Sequence, residues 1–211
     1  KALNHELVLS VEEKIDGLSV VLHYEEGILV QALTRGNGTV GNDITANART
    51  IRDVPLRLER PVSGVFRGEV YLEKADFARL NQDQEIPYAN PRNLAGGTLR
   101  RVKSAEVARV PLRMFVYEGV YETSPALHHE LLDDLSGLGF HINGRRKVFS
   151  LPAQSAELEA WLSAETAERP SLSYEIDGLV LKVDDLASRE ELGYTGHHPR
   201  WALAWKFESP Q

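Results

Sequence analysis

The chain has 211 residues, 42% hydrophobic and 26% charged, an ordinary globular balance that argues against disorder. No apolar run approaches the ~20 residues of a membrane-spanning helix and no apolar leader opens the sequence, so neither a membrane span nor export is expected. Cysteine is absent, which excludes disulfides and thiolate zinc sites, and the net charge of -7 alone argues weakly against a nucleic-acid partner unless a local basic groove overrides the sum.

In chain order, residues 11–34 read as strand, turn, strand. Leu18, Val20, Leu22 and Tyr24 alternate with other residues, Glu25-Glu26-Gly27 turns the chain, and Ile28 to Thr34 returns. A Gly-rich loop, Arg35 to Gly41, follows, and Asp43 is placed to cap a short helix running to about Ile51. Val65 to Leu72 reads as a strand, Lys74 to Asp83 as a helix, Ala89 to Asn93 as a turn and Leu94 to Arg101 as a helix. Leu112 to Tyr121 is strand-like. Leu127, Leu131, Leu132, Leu135 and Leu138 mark an amphipathic helix stopped by Gly139, and Ala156 to Ala167 is another helix. Ser173 to Val183 and Arg200 to Phe207 complete the strands. Strands and helices mix without βαβ alternation, which predicts a mostly antiparallel α+β fold with flanking helices.

The chemistry concentrates in three segments. Glu12-Glu13-Lys14-Ile15-Asp16-Gly17 sets a lysine between acids ahead of a strand; taken alone it reads first as a solvated charged turn entering a hairpin. Asp177-Gly178-Leu179-Val180-Leu181-Lys182 and Ala202-Leu203-Ala204-Trp205-Lys206 are apolar strands that each present one lysine. A lysine there needs a partner, so the pair points to an anionic ligand, or else to edge strands protected against aggregation. The histidines, adjacent at 128–129 and at 197–198, lack metal-ligand spacing and are expected to face solvent.

Together these segments resemble the covalent nucleotidyltransferases, whose ordered signature runs through Lys14-Ile15-Asp16-Gly17, Arg67-Gly68-Glu69-Val70, Met114 to Glu118, Asp177 to Lys182 and Trp205-Lys206-Phe207. The stretches Thr34 to Thr45, Ala89 to Arg100 and Glu175 to Val183 are similar to the bacterial NAD-dependent DNA ligases, with Asn37 standing where the commoner form of its loop has Asp. The resemblance implies an adenylation domain over residues 1–211 with a nucleotidyltransferase (ATP-grasp-like) core. It also implies NAD and Mg²⁺ (or Mn²⁺) as cofactors, nicked double-stranded DNA as partner of the full-length protein, a monomer, and a cytoplasmic, nucleoid-associated bacterial setting.

By the same resemblance Lys14 attacks the AMP phosphorus of NAD, releasing nicotinamide mononucleotide, and AMP then passes to the 5′-phosphate of nicked DNA. Glu12 reads the adenine amino group, Tyr117 stacks on the base, Glu69 bonds the ribose, and Arg35 sits near ribose and phosphate. Lys182 and Lys206 are catalytic and bind the phosphate. Asp16 and Asp177 orient the lysines or hold metal-bound water, and Arg92 and Arg100 contact DNA. A lysine attacks only when deprotonated, and Lys182, Lys206 and Arg35 are the cations expected around Lys14. The alternatives are an ATP-dependent ligase or capping-type enzyme, and a non-catalytic nucleotide-binding module. The resemblance starts almost at the nucleophile motif and stops after the last lysine strand. The expectation is therefore a truncated core that binds AMP but neither adenylylates itself efficiently from NAD nor seals nicks alone.

Overall fold

A computed structural model describes residues 6–34, 41–82, 84–196 and 198–207. In chain order the elements are β1 (Leu7–Ile15), β2 (Leu18–Glu25), β3 (Ile28–Thr34), α1 (Thr45–Ala48), β4 (Gly64–Tyr71), α2 (Lys74–Gln82), α3 (Pro91–Leu99), α4 (Ser104–Val107), β5 (Arg113–Tyr121), α5 (His128–Gly137), β6 (Arg146–Leu151), α6 (Ser155–Glu168), β7 (Ile176–Val183), α7 (Leu186–Leu192), β8 (Tyr194–Thr195), β9 (His198–Pro199) and β10 (Ala202–Lys206). A 3₁₀ turn, Arg169–Ser171, follows α6.

Two four-stranded antiparallel sheets carry the fold, ordered β10-β7-β1-β6 and β3-β2-β4-β5. The chain passes from the first to the second at Asp16-Gly17, between β1 and β2. Gly17 is required there by close approach, since a Cβ at that position would lie 2.2 Å from the Val70 carbonyl oxygen. The second sheet packs the larger core, where Phe66, Tyr24 and Phe140 meet edge-on or tilted beneath α5. The first sheet turns Leu9, Val11, Leu179 and Leu181 onto Leu158 and Leu162 of α6. A third cluster, Ile15, Tyr71, Phe115, Tyr174 and Ile176, joins elements of both sheets.

The α+β expectation holds, and so do the strands read from alternation. Three local readings change. Glu12, Glu13 and Lys14 belong to a strand, β1, rather than to a turn leading into one, because the strand is satisfied on both faces by polar partners. Asp43 does not cap α1: Ile44 occupies the cap position, and Asp43 instead accepts from the Thr45 amide at 2.9 Å. Asn90 caps α3, accepting from the Asn93 amide, and Pro91 opens that helix three residues earlier than expected. The strand β6 and the helix α7 carry no clear alternation or amphipathic stripe, so the sequence does not mark them. The Gly-rich loop, with Arg35 and Asn37, lies outside the described residues.

Candidate active site

Cross-strand partners in an antiparallel sheet share a face. On β1, Ser10, Glu12 and Lys14 sit opposite Lys182, Val180 and Gly178 of β7, and those in turn oppose Ala202, Ala204 and Lys206 of β10. Glu12, Lys14, Lys182 and Lys206 therefore project from one face, with Lys14 and Lys206 on the same rung across Gly178. Gly178 keeps that rung flat: a Cβ there would sit 2.2 Å from the Trp205 carbonyl oxygen. The face lines a cavity of about 580 Å³. The opposing wall comes from the second sheet and α3, with Ser19, Arg67, Glu69, Tyr117, Arg92 and Arg100.

At one end, the Lys14 amine donates to both carboxylate oxygens of Asp177, at 2.8 and 2.9 Å. The expected ring of cations is thus not what the amine touches; its nearest neighbour is a carboxylate. The cause is a register shift between Lys14 and Ile15 that leaves Asp177 without a partner on β1 and lets its carboxylate reach the Lys14 amine. Asp177 thus meets a lysine, whereas Asp16 accepts from Arg92 at 3.2 Å. Glu69 is held among these groups. Burial lifts its carboxyl to about 7, against the opposing pull of Arg92 and Lys14 and with help from Asp16 and Asp177.

At the other end, Glu12 is buried and takes a donor on each oxygen. His128 Nε2 lies 2.5 Å from Oε1, and Lys182 Nζ donates to Oε2 at 3.1 Å. Burial alone would raise the Glu12 carboxyl, but Lys182 and His128 overcome it and hold the group at about 2, so it is ionised at neutral pH. The Lys182 amine also lies 5.0 Å from the centroid of the Tyr117 ring. Lys182 therefore stands at the Tyr117 end of the cavity, two strand residues from Glu12's rung, and not beside Lys14.

His128 corrects the sequence reading. It is fully buried, not solvent-facing, because Asp184 at the end of β7 fixes the start of α5. The Asp184 carbonyl accepts the His128 amide at 2.8 Å, and its carboxylate accepts the His129 amide at 3.0 Å. The leucine stripe of α5 was legible; that the histidine before it turns inward follows only from this tertiary tie. Glu13, on the reverse face of β1, was also unassigned. It is buried and accepts from Tyr174, Asn143 and Arg145. Among the described residues no cluster of three His, Asp or Glu side chains is spaced to hold a metal ion. None of the described helices is long and apolar enough to cross a membrane.

The sheet face thus presents a lysine amine at one end of the cavity and a buried donor–acceptor pair beside an aromatic ring at the other. A solved structure, a mycobacterial DNA ligase D complexed with ATP and MES, shares the fold with a TM-score of 0.54 at 14% identity, over 94% of this chain and 54% of that one. Residues 1–210 match the family model of the NAD-dependent DNA ligase adenylation domain, and the chain belongs to that family. Its curated relatives include the DNA ligases of Borreliella burgdorferi, 49% identical over 98% of this chain, and Borrelia hermsii, 48% identical over 95%. The chain spans 31% and 30% of those relatives.

Proposed function

We propose that the cavity takes the AMP half of NAD and that Lys14 attacks its phosphorus. The observation that carries this reading is the single sheet face shared by Glu12, Lys14, Lys182 and Lys206, of which the first three line the cavity. An ionised carboxylate only accepts and an ammonium only donates. Glu12 beside Lys182 is thus complementary to the 6-amino donor and N1 acceptor of adenine, and Tyr117 supplies a ring face for the base. Lys182 acts on this reading at the base edge. Glu69 and Ser19 lie along the wall toward Lys14, where ribose hydroxyls would pass.

Attack requires the Lys14 lone pair, so the ammonium first gives up one proton to solvent. Asp177, already in contact, accepts a second proton as the nitrogen–phosphorus bond forms. The phosphorus–oxygen bond to nicotinamide mononucleotide breaks, and that product leaves with the electron pair. Charge gathering on the non-bridging oxygens is met by Lys206, on the same rung as Lys14, and by Arg92. Magnesium commonly takes one or two carboxylates plus substrate phosphates. Asp16 and Asp177 are the carboxylates at hand, each already facing a cation, so they do not form a metal cage by themselves. In the whole protein AMP then passes to the 5′-phosphate of nicked DNA and a 3′-hydroxyl displaces it, with Arg92 and Arg100 at the cavity mouth facing the DNA. A nucleoid-associated setting in the cytoplasm accompanies that substrate.

Calorimetric titration with AMP tests the reading. Glu12→Gln replaces one acceptor oxygen by a donor and should weaken AMP at least tenfold, while Lys14→Arg should leave AMP binding within a few-fold. Unchanged binding by the Glu12→Gln protein would overturn the assigned base end.

A further inference from the structure

We infer that His128 is a positioning residue that fixes the Glu12 carboxylate, and with it the preference for a 6-amino purine. The inference rests on the base-end reading above and goes beyond it by naming what makes that end selective.

Glu12 on β1 has a side chain long enough to present its oxygens in several directions. Two donors from different elements remove that freedom. Lys182 holds one oxygen from the neighbouring strand, and His128 holds the other from the first residue of α5. His128 is itself not free to move, since its backbone amide is tied to Asp184, two residues beyond Lys182 on the same chain segment. Lys182, His128 and the base-reading carboxylate are thereby locked to one strand end.

The protonation state fits this role. Burial and the nearby Lys182 charge pull the His128 imidazole below its ordinary range, against the opposing effect of Glu12, so the ring is neutral. Its Nε2 carries the proton that Glu12 accepts. Nδ1 is then a bare acceptor, and it is buried without a hydrogen-bond partner among the described residues. A buried ring that leaves one nitrogen unsatisfied costs stability. Among the described residues the ring makes one hydrogen bond, to Glu12, and that bond offsets the cost. Around the imidazole the charged groups are Glu12, Lys182 and Arg189, and Arg189 donates away from it to the Val183 carbonyl.

Without His128, Glu12 keeps its charge and Lys182 but gains a free oxygen able to rotate. Loss of orientation penalises a ligand that needs the carboxylate in one place. AMP presents a 6-amino donor there, whereas inosine monophosphate presents an oxygen that Glu12 repels. Variation at His128 should therefore change the AMP to inosine monophosphate ratio and not merely the affinity for both.

The test is calorimetric titration of the folded chain, checked by circular dichroism, with AMP and with inosine monophosphate. The proteins are wild type, His128→Leu, His128→Gln and His128→Asn. Gln can place its amide nitrogen near the Nε2 position, whereas Asn is too short to reach Glu12. The expected result is a preference for AMP in wild type and His128→Gln, and a preference reduced about tenfold in His128→Leu and His128→Asn, through weaker AMP binding alone. If His128→Leu does not fold, the Gln and Asn proteins decide. Equal preferences in those two, a wild-type preference in folded His128→Leu, or equal weakening of both ligands would overturn the inference. A wild-type protein that does not distinguish the two nucleotides would instead overturn the base-end reading itself.

Discussion

Glu69 offers a sharp test of the electrostatics at the Lys14 end. Its carboxyl is lifted from 4.5 to about 7, chiefly by burial, with Asp16 and Asp177 adding to the lift and Arg92 and Lys14 opposing it. Between those two values the folded protein holds a proton that the unfolded chain has released. The stability this confers is complete below pH 4.5 and is lost as pH rises through about 7. At ~1.36 kcal/mol for each pH unit, the difference is at most about 3 kcal/mol. Gln cannot ionise, so Glu69→Gln removes the loss. Denaturant unfolding of both proteins should show Gln gaining on Glu by up to about 3 kcal/mol between pH 4 and pH 8, with titrating groups remote from this cluster cancelling in the comparison. A stability difference that does not vary across that range would refute the buried-carboxylate account of this end of the cavity.

Other predictions follow from packing, charge and contact. Gly178→Ala should destabilise the chain by about 1–3 kcal/mol in thermal unfolding, since the added Cβ meets the backbone of β10 and not a yielding side chain. Arg145→Met should cost about 2–3 kcal/mol, because Glu13 keeps Tyr174 and Asn143 but loses its buried counter-charge. Residues 92–109 carry Arg92, Arg100, Arg101, Lys103 and Arg109 against the lone acid Glu106, in a chain of net charge -7. Each of these cations that neutralises a DNA phosphate should contribute about 0.9 to the slope of log affinity against log salt, and replacing Arg92 and Arg100 together should reduce that slope by nearly two. An unaltered slope in a filter-binding or anisotropy titration would remove those two arginines from the DNA contact.

Much of the architecture was legible because the apolar pattern was regular. Alternation marked β2, apolar β-prone runs marked β3, β4 and β5, the leucine stripe marked α5, and the lysine-bearing strands β7 and β10 were clear because one charge stood out in an apolar run. Strand β1 was hidden by its charges. Alternation sends Glu12 and Lys14 to the cavity and Glu13 to the reverse face, and only the partners Lys182, His128, Asp177, Tyr174 and Arg145 show that each burial is satisfied. Pairing is equally unreadable from one strand. That Asp177 meets Lys14 and Asp16 meets Arg92 depends on a register shift and on the placement of α3. His128 could have been flagged only by asking which residue ends up opposite a buried glutamate, a question of tertiary structure.

The central claim is that the amine of Lys14 is the one presented to an adenylyl phosphorus. Imidazole-activated AMP transfers its adenylyl group without any nicotinamide contact, so it can be incubated with this chain and the modified peptide mapped by mass spectrometry. One adenylyl group is expected, on Lys14, competed away by excess AMP and absent from Lys14→Arg. Label on Lys182 or Lys206, or spread over surface lysines while Lys14 stays unmodified, would contradict it.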